Sequence, residues 1–128
     1  TMICFDWFFP EAVRILALNG AQIICHPSNL VLPYCQRALL GAAIQNRVFI
    51  ITANRIGAER GVKFTGMSQI IDPNMKVLAR SGREKEEIRT VEINPRMADS
   101  KRMNDYNDLW LDRRVDLYHP LLEQRRII

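Results

Sequence analysis

The hydrophobic pattern in the first half of the chain alternates between short apolar runs and longer amphipathic stretches. The apolar runs have the length of buried strands. They are residues 2–5, 21–25 and 48–54. The stretches between them, residues 10–20 and 34–47, carry apolar or small side chains at helical spacing. The order strand, helix, strand, helix, strand predicts an α/β layered fold with buried neighbouring strands.

Two residues mark the ends of the first predicted helix. Pro10 falls at its first position, where proline is tolerated, and Gly20 is placed to end it. The second helix is rich in small side chains, among them Ala38, Gly41 and Ala42. Such a stripe would let another surface approach this helix closely.

The pattern changes after residue 54. Residues 55–64 form a polar stretch punctuated by glycine, which indicates a loop. Two strand-like runs follow within residues 66–80, and Asp72-Pro73-Asn74 supplies turn chemistry between them. This segment therefore predicts a β-hairpin, although Asn74-Met75 stands where a turn glycine is usual.

The last third of the chain is less regular. Residues 88–93 alternate in polarity and predict a half-buried strand. Asn94 is placed to cap a short helix over residues 95–102. Residues 104–128 have no clean period, and we expect an extended tail whose aromatic residues anchor it on a neighbouring surface or on another subunit.

Composition and charge exclude several classes of protein. The 128 residues, 48% hydrophobic and 25% charged, suit one soluble domain over residues 1–128. The 18 basic and 14 acidic side chains are scattered and give a net charge of +4. A nucleic-acid surface needs basic side chains massed on one face, and a membrane span needs a longer apolar run. We therefore expect neither nucleic acid nor a membrane as a partner.

Three cysteines, an odd number at irregular spacing, favour free thiols in a reducing compartment. The first residues lack the basic flank and cleavage site of a signal peptide. We expect a cytoplasmic protein. Because the strand pattern is already under way at the first residue, we also expect that preceding sequence is absent from this chain.

Cys4 is the first candidate for chemistry. Residue type alone favours an inert core thiol, since cysteine is among the most buried residues. The stretch "ICFDWFFPE", however, predicts a strand end and a sharp turn into a helix. Such a turn exposes one side chain above a sheet and aims the next backbone N–H, here that of Phe5, into the same space. Asp6 and Glu11 suit either the site or a helix cap.

A cysteine nucleophile needs a base, and His26 and His119 are the two histidines. His26 follows a predicted strand and can approach Cys4, but His26-Pro27 equally suits the start of a loop, which we favour. His119 lies in the irregular tail. Cys25 and Cys35 lack the paired spacing of a zinc site, so we expect no metal and no cofactor.

Three polar residues follow predicted strands. They are Asn29, Thr52 and Asn54. Polar groups beyond the carboxyl ends of strands in an α/β sheet commonly bind ligands, and they cap loops equally often. Both interpretations remain open for these residues.

The set of motifs resembles the nitrilase superfamily of carbon–nitrogen hydrolases. "ICFDWFFPE" is similar to the nucleophile signature of that family: apolar residues, Cys, a variable residue, Asp, two variable residues, an aromatic, Pro and Glu. Further segments follow in the family's order along the chain. They are "LALNGAQIICHPSNL", "QNRVFIITANRIG", "FTGMSQIIDPNMKVLA" and "RMNDYNDLWLDRR".

The resemblance implies a four-layer α-β-β-α sandwich, of which this chain is roughly the carboxyl-terminal half. It implies that Cys4 attacks a small aliphatic amide, carbamoyl compound or nitrile, and that a thioester intermediate is then hydrolysed. The Phe5 N–H would help to bind the oxyanion. The residues that would line the pocket are Trp7, Phe8, Asn29 and Asn54. The aromatic side chains at Trp7 and Phe8 favour a substrate with little charge.

The chain also departs from the family pattern. The family's general-base Glu and oxyanion-stabilising Lys precede the cysteine motif, and Glu59 and Lys63 match neither position. We therefore expect this chain alone to be inactive, as part of a homo-oligomeric hydrolase. The alternative is a non-catalytic truncated relative that serves as an assembly module, with "RALLGAAIQN" resembling the family's subunit-contact helix.

Overall fold

A computed structural model describes residues 1–124 of the chain. Two α-helices lie on a four-stranded sheet. The helices are α1 (Pro10–Leu18) and α2 (Cys35–Asn46). The strands in chain order are β1 (Ile23–Ser28), β2 (Phe49–Asn54), β3 (Ala58–Glu59), β4 (Val62–Lys63), β5 (Gln69–Ile71) and β6 (Val77–Arg80). Four 3₁₀ helices complete the structure: Cys4–Phe8, Pro95–Ala98, Val115–Leu117 and His119–Leu122.

The main sheet has the order β1-β2-β5-β6, with β3 and β4 forming a separate small hairpin. β1 and β2 are parallel and pair His26 with Thr52 and Ser28 with Asn54. β5 is antiparallel to both β2 and β6. The parallel pair β1–β2 is connected through α2, the βαβ arrangement that the sequence predicts.

The core lies between the helices and one face of the sheet. Alternate strand residues point to this face, among them Ile24, Ile50 and Ile71, and Val13 and Leu39 reach it from the helices. The opposite face is more open, since Cys25 and Ala53 are exposed there. The structure thus covers one face of the sheet with helices and leaves the other largely bare.

Several predicted elements are confirmed with small shifts. Pro10 is the first residue of α1, and Gly20 follows its end at a φ of 87°. The predicted hairpin is formed by β5 and β6, and the turn between them uses Asp72, whose carboxylate accepts from the N–H groups of Asn74 and Lys76. Asn94 caps the 3₁₀ helix Pro95–Ala98 by accepting from the Arg96 N–H at 3.1 Å.

The strand predicted at residues 2–5 is wrong. Met2 donates one hydrogen bond to the Cys25 carbonyl (3.1 Å), and the chain then turns into a 3₁₀ helix. The turn forms because the Asp6 carboxylate accepts from the Ile3 N–H at 2.8 Å. A local acidic side chain therefore competes with continued strand pairing.

The loop predicted to start at His26-Pro27 is also wrong, because β1 continues to Ser28. β1 is an edge strand, where a proline without an N–H is tolerated. Thr52 and Asn54 lie within β2, which confirms the strand predicted over residues 48–54 and corrects their placement beyond a strand end. As a result, four polar side chains that the sequence placed in loops or at strand ends stand on the sheet itself.

Two further predictions fail in the last third of the chain. Residues 88–93 form no strand, and the helix predicted over 95–102 is limited to Pro95–Ala98. The alternation at 88–93 lacks a neighbouring strand to pair with; Ile88 is 94% exposed. Of the predicted tail, 104–128, residues 125–128 lie outside the described part. Trp110 packs against the core of the same chain, beneath Arg14 (5.0 Å) and Lys101 (5.1 Å), and the tail includes the 3₁₀ helices Val115–Leu117 and His119–Leu122. Packing of the tail on another subunit stays a prediction.

Over residues 1–124, no helix is long and apolar enough to cross a bilayer.

Candidate active site

Cys4 lies at a sharp bend where the first residues of the chain meet the 3₁₀ helix Cys4–Phe8. Its φ is 46°, in the left-handed region that side-chain-bearing residues rarely adopt. The thiol is partly exposed and is not sealed in the core. The bend therefore brings the backbone of Cys4 against His26 of β1 and keeps this half-buried residue out of the core cluster.

Hydrogen bonds fix the backbone on both sides of this bend. Before Cys4, the Ile3 N–H donates to the Asp6 carboxylate at 2.8 Å. After it, the Cys4 carbonyl accepts from Nε2 of His26, also at 2.8 Å. The Asp6 carboxylate thus stabilises the turn, which is the helix-capping interpretation of this residue.

His26 is 1% exposed and makes three polar contacts. Its Nε2 lies 2.8 Å from both the Cys4 carbonyl and Ser28 Oγ, and its Nδ1 lies 3.3 Å from Thr52 Oγ1. Burial lowers the pKa of the imidazole. Because a carbonyl only accepts, Nε2 carries the proton and Nδ1 accepts from the Thr52 hydroxyl.

These contacts decide what His26 does. Both ring nitrogens are engaged, and the nearer one faces the Cys4 carbonyl and not its sulfur. His26 does lie beside Cys4, as the Cys–His interpretation requires, but it is placed to hold the backbone of the bend. His119 is exposed and lines a groove with α1 residues Arg14 and Ile15, which Cys4 does not share.

The Phe5 N–H is free to bind a ligand oxygen. Within residues 1–124, no backbone or side-chain acceptor takes this N–H. The Phe5 ring stacks on Phe8 (centroids 5.3 Å apart) and meets Phe9 edge-on (5.6 Å). Trp7 is half-buried against the core and tilts against Phe8 at 4.8 Å. An aromatic cluster therefore flanks Cys4, with the rings of Phe5 and Phe8 more than half exposed.

The two predicted asparagines differ in their surroundings. Asn29 is exposed at the end of β1. Asn54 is held in place: its Oδ1 accepts from Leu30 N (2.8 Å), and its Nδ2 donates to Thr65 Oγ1 (2.9 Å) and the Gly66 carbonyl (2.6 Å). Asn54 thus joins two loops, the one after β1 and the one before β5, as the loop-capping alternative expects. A pocket role for either asparagine stays a prediction.

The other candidate groups are distributed elsewhere. Cys25 is exposed on the open face, whereas Cys35 is buried, which raises the pKa of its thiol to about 12. All three cysteines are free thiols, as predicted. Glu59 is paired with Arg55 at 2.7 Å. In the part of the chain that the structure describes, no cluster of three His, Cys, Asp or Glu side chains is arranged to hold a metal.

Sequence reasoning missed the His26–Thr52–Ser28 group. The signal was present in the alternation of β1, where His26 and Ser28 follow Ile24 at every second residue. The proline between them is typical of a loop start, and it hides the continuation of the strand in the sequence pattern. Five cavities formed by residues 1–124 do not have Cys4 in their lining. Cys4 itself is half-buried.

Comparison with known proteins places this geometry in context. A carbon-nitrogen hydrolase family model matches residues 1–103. A nitrilase from Pyrococcus abyssi is 50% identical over 117 residues, covering 91% of this chain and 45% of that protein. The chain thus spans about half the length of such a relative.

Solved structures agree on the fold. The crystal structure of a carbon-nitrogen hydrolase from Helicobacter pylori matches with a TM-score of 0.84 and 31% identity, over 96% of this chain and 48% of the other. A mutant amidase from Nesterenkonia sp. AN1 matches with a TM-score of 0.62 and 32% identity. The match covers 65% of this chain and 33% of the amidase chain. Its active-site cysteine carries the acetamide moiety of fluoroacetamide.

Proposed function

This chain belongs to the carbon–nitrogen hydrolase family of the nitrilase superfamily, and we propose that its Cys4 is the nucleophile of a thiol hydrolase. The observation that carries the proposal is the bend at Cys4: a partly exposed thiol at a φ of 46°, beside a Phe5 N–H with no protein acceptor within residues 1–124. The covalently modified cysteine of the Nesterenkonia amidase supports the same chemistry.

The proposed reaction has two covalent steps. The Cys4 thiolate attacks the carbonyl carbon of a small amide or carbamoyl compound, and the oxygen of the tetrahedral intermediate accepts from the Phe5 N–H. The C–N bond breaks, the nitrogen takes a proton and leaves as ammonia or an amine, and a thioester remains. Water then attacks the thioester, which releases the acid and restores the thiol. A nitrile first gives a thioimidate, which water converts to the same thioester with loss of ammonia.

The proton transfers need a base that we do not find among residues 1–124. Both ring nitrogens of His26 are occupied, and the Asp6 carboxylate accepts from Ile3. We propose that a Glu base and a Lys from sequence outside this chain complete the site. Loss of one member of a cooperating catalytic set typically costs several powers of ten in rate. The isolated chain is therefore inactive on amides.

The exposed aromatic cluster supports a substrate class. Phe5, Trp7 and Phe8 present apolar rings beside Cys4 and no cationic group. A carboxylated substrate would gain no ion pair from these residues, so we propose a small aliphatic amide, carbamoyl compound or nitrile with little charge. We further propose that the protein acts in the cytoplasm as a homo-oligomer, without a cofactor.

The test compares two thiols of the same molecule. An activated ester such as p-nitrophenyl acetate should acylate Cys4 faster than Cys25, although Cys25 is the more exposed. Peptide mass spectrometry measures both rates. The same chain should release no ammonia from short aliphatic amides. If Cys4 is acylated no faster than Cys25, the assignment of Cys4 as the nucleophile is contradicted. If the chain releases ammonia and Cys4→Ala abolishes the release, the proposed inactivity of this chain is contradicted.

One observation favours the second candidate, a non-catalytic assembly module. α2 presents small or polar side chains to the surface, with Ala38 and Gln45 exposed and Gly41 half-buried. Such a helix face admits close approach of a second copy. The module interpretation requires Cys4 to be dispensable, so equal acylation of Cys4 and Cys25 would favour it.

A further inference from the structure

We infer that His26, held by Thr52, is a positioning residue for the oxyanion site: it clamps the peptide group whose N–H belongs to Phe5. This inference rests on the proposed function, in which that N–H binds the developing oxyanion. Nothing in the motif that identifies the nucleophile points to a histidine more than twenty positions downstream.

The orientation of one peptide group determines where the Phe5 N–H points. The Cys4 carbonyl and the Phe5 N–H belong to the same planar unit and point in opposite directions from it. His26 Nε2 holds the carbonyl end at 2.8 Å. The N–H end has no protein partner within the described chain. Fixing the oxygen therefore fixes the direction in which the N–H points.

Thr52 supports the tautomer of His26 that the Cys4 carbonyl requires. Because that carbonyl only accepts, the imidazole proton lies on Nε2, and the Thr52 hydroxyl, 3.3 Å from Nδ1, donates to the lone pair left there. Ser28 Oγ shares that proton with the Cys4 carbonyl, both at 2.8 Å. Thr52 is buried and directly opposite His26 in the β1–β2 register, so the pair is built into the sheet.

The clamp has two consequences for the bend. It opposes relaxation of Cys4 from its positive φ toward an extended conformation, which would redirect the N–H. A hydrogen bond to the carbonyl also polarises the peptide group, which makes its N–H a stronger donor. Both effects act on an oxyanion and not on the sulfur. The clamp should therefore assist reactions at Cys4 that pass through a tetrahedral oxyanion.

This distinction gives the experiment. Acylation by p-nitrophenyl acetate passes through an oxyanion, whereas alkylation by iodoacetamide displaces iodide and does not. The ratio of the two rates at Cys4, measured by peptide mass spectrometry on the full chain, isolates the contribution of the N–H. Cys25 provides the same ratio for a thiol without a clamp.

Two matched pairs of variants test the clamp. Thr52→Val removes the hydroxyl but keeps the shape, and Thr52→Ser keeps the hydroxyl. His26→Leu removes the donor, and His26→Gln retains an N–H at a similar reach. We expect the ratio of acylation rate to alkylation rate at Cys4 to fall about tenfold in Thr52→Val and His26→Leu. This decrease is smaller than the one caused by removal of a whole oxyanion donor. The ratio should stay within about twofold of wild type in the other two.

A measurement on the unaltered chain keeps the inference testable if a variant fails to fold. ¹⁵N NMR of the imidazole should show the proton of His26 on Nε2, and a proton on Nδ1 overturns the clamp. Equal Cys4 ratios in Thr52→Val and Thr52→Ser overturn it as well. The two proposals fail differently: without a nucleophile, Cys4 in the unaltered chain is acylated no faster than Cys25, whereas without a clamp it is faster but insensitive to Thr52.

Discussion

Cys4 has a positive φ, and the interactions that maintain it differ from those at the other turns of this chain. Arg47 and Met75 adopt it where a helix or a hairpin reverses direction. Cys4 adopts it beside two hydrogen bonds that cross to other groups, the carboxylate of Asp6 and the imidazole of His26. A strained backbone conformation persists only where several surrounding interactions maintain it. Such positions are typical of functional sites.

Gly66 is a residue where a single methyl group should destabilise the fold. Its φ is 59°, and a Cβ would lie 2.7 Å from the Arg83 carbonyl oxygen, a backbone atom that cannot move aside. We expect Gly66→Ala to lower the free energy of unfolding by about 2 kcal/mol. Urea denaturation measures it.

The matched control is Gly41→Ala in α2, where nothing lies within 4 Å of the added Cβ. Because alanine favours a helix over glycine, this variant should be about 0.5 to 1 kcal/mol more stable than wild type. Equal midpoints for the two variants would contradict the steric argument.

The buried imidazole of His26 should make stability depend on pH. Burial lowers its pKa in the folded chain, against weaker opposing effects of the hydrogen bond to the Cys4 backbone and of nearby Asp6, while the unfolded value is about 6.5. The unfolded state therefore binds more protons as the pH falls through 6.5. The stability present above that pH is lost progressively below it.

Two variants separate the pH dependence of stability that is due to His26 from the pH dependence that is due to the carboxylates. The difference in urea midpoint between pH 7.5 and pH 5.5 should shrink in His26→Gln, which cannot titrate. His119→Gln, at an exposed histidine, should keep the wild-type difference. The same shrinkage in both variants would show that burial of His26 is not the cause.

Helices and strands with strong local signals were predictable. α1 begins at Pro10 and is followed by Gly20, and β2 coincides with an apolar run, because each signal acts within its own segment. The bend at Cys4 was not predictable, since it depends on a hydrogen bond from the Ile3 N–H to Asp6 and on one from His26, 22 residues away, to the Cys4 carbonyl. The motif made Cys4 a candidate nucleophile, which stays a prediction, but the residues that hold its backbone required the strand register.

The β5–β6 hairpin uses a residue that does not suit its turn. Met75 adopts a φ of 69° and is exposed, at the position where the sequence lacks the usual glycine. A left-handed conformation costs a side-chain-bearing residue about 1–2 kcal/mol. Glycine avoids this cost, but it loses more conformational entropy on folding, which offsets part of the gain. We expect Met75→Gly to raise the free energy of unfolding by about 0.5 to 1 kcal/mol, measured in urea.

Lys76→Gly provides the control within the same turn. Lys76 is exposed and has no positive φ, so glycine there should lower stability through the entropy of the unfolded chain. Stabilisation by both variants, or by neither, would show that the conformation of Met75 is not what limits this hairpin.

On the scale of the whole molecule, the two faces of the sheet differ. Helices α1 and α2 cover one face, while the other presents Ile51, Ile70 and Ala79 half-buried and Ala53 exposed. A sheet in a layered α/β domain is usually covered on both faces. The resemblance to a four-layer sandwich predicts a cover for the second face, and no helix or strand within residues 1–124 provides one.

The proposed function, taken with the open face of the sheet, predicts that a second polypeptide completes the site. We expect this chain, mixed with the part of the Pyrococcus abyssi nitrilase that it does not cover, to bind through that face and release ammonia from a short aliphatic amide or nitrile. Cys4→Ala should abolish the release and Cys25→Ala should not, which ties activity to one thiol.

The contact itself is tested by placing one charge on either side of the sheet. Ala53→Lys puts an ammonium group on the open face, where burying it without a partner is costly, so it should prevent both association and ammonia release. Ala38→Lys puts the same group on the exposed side of α2 and should leave both intact. Sedimentation velocity reports association independently of activity. If Ala38→Lys separates the two polypeptides and Ala53→Lys does not, the chain assembles through its helix, and the non-catalytic module becomes the better account.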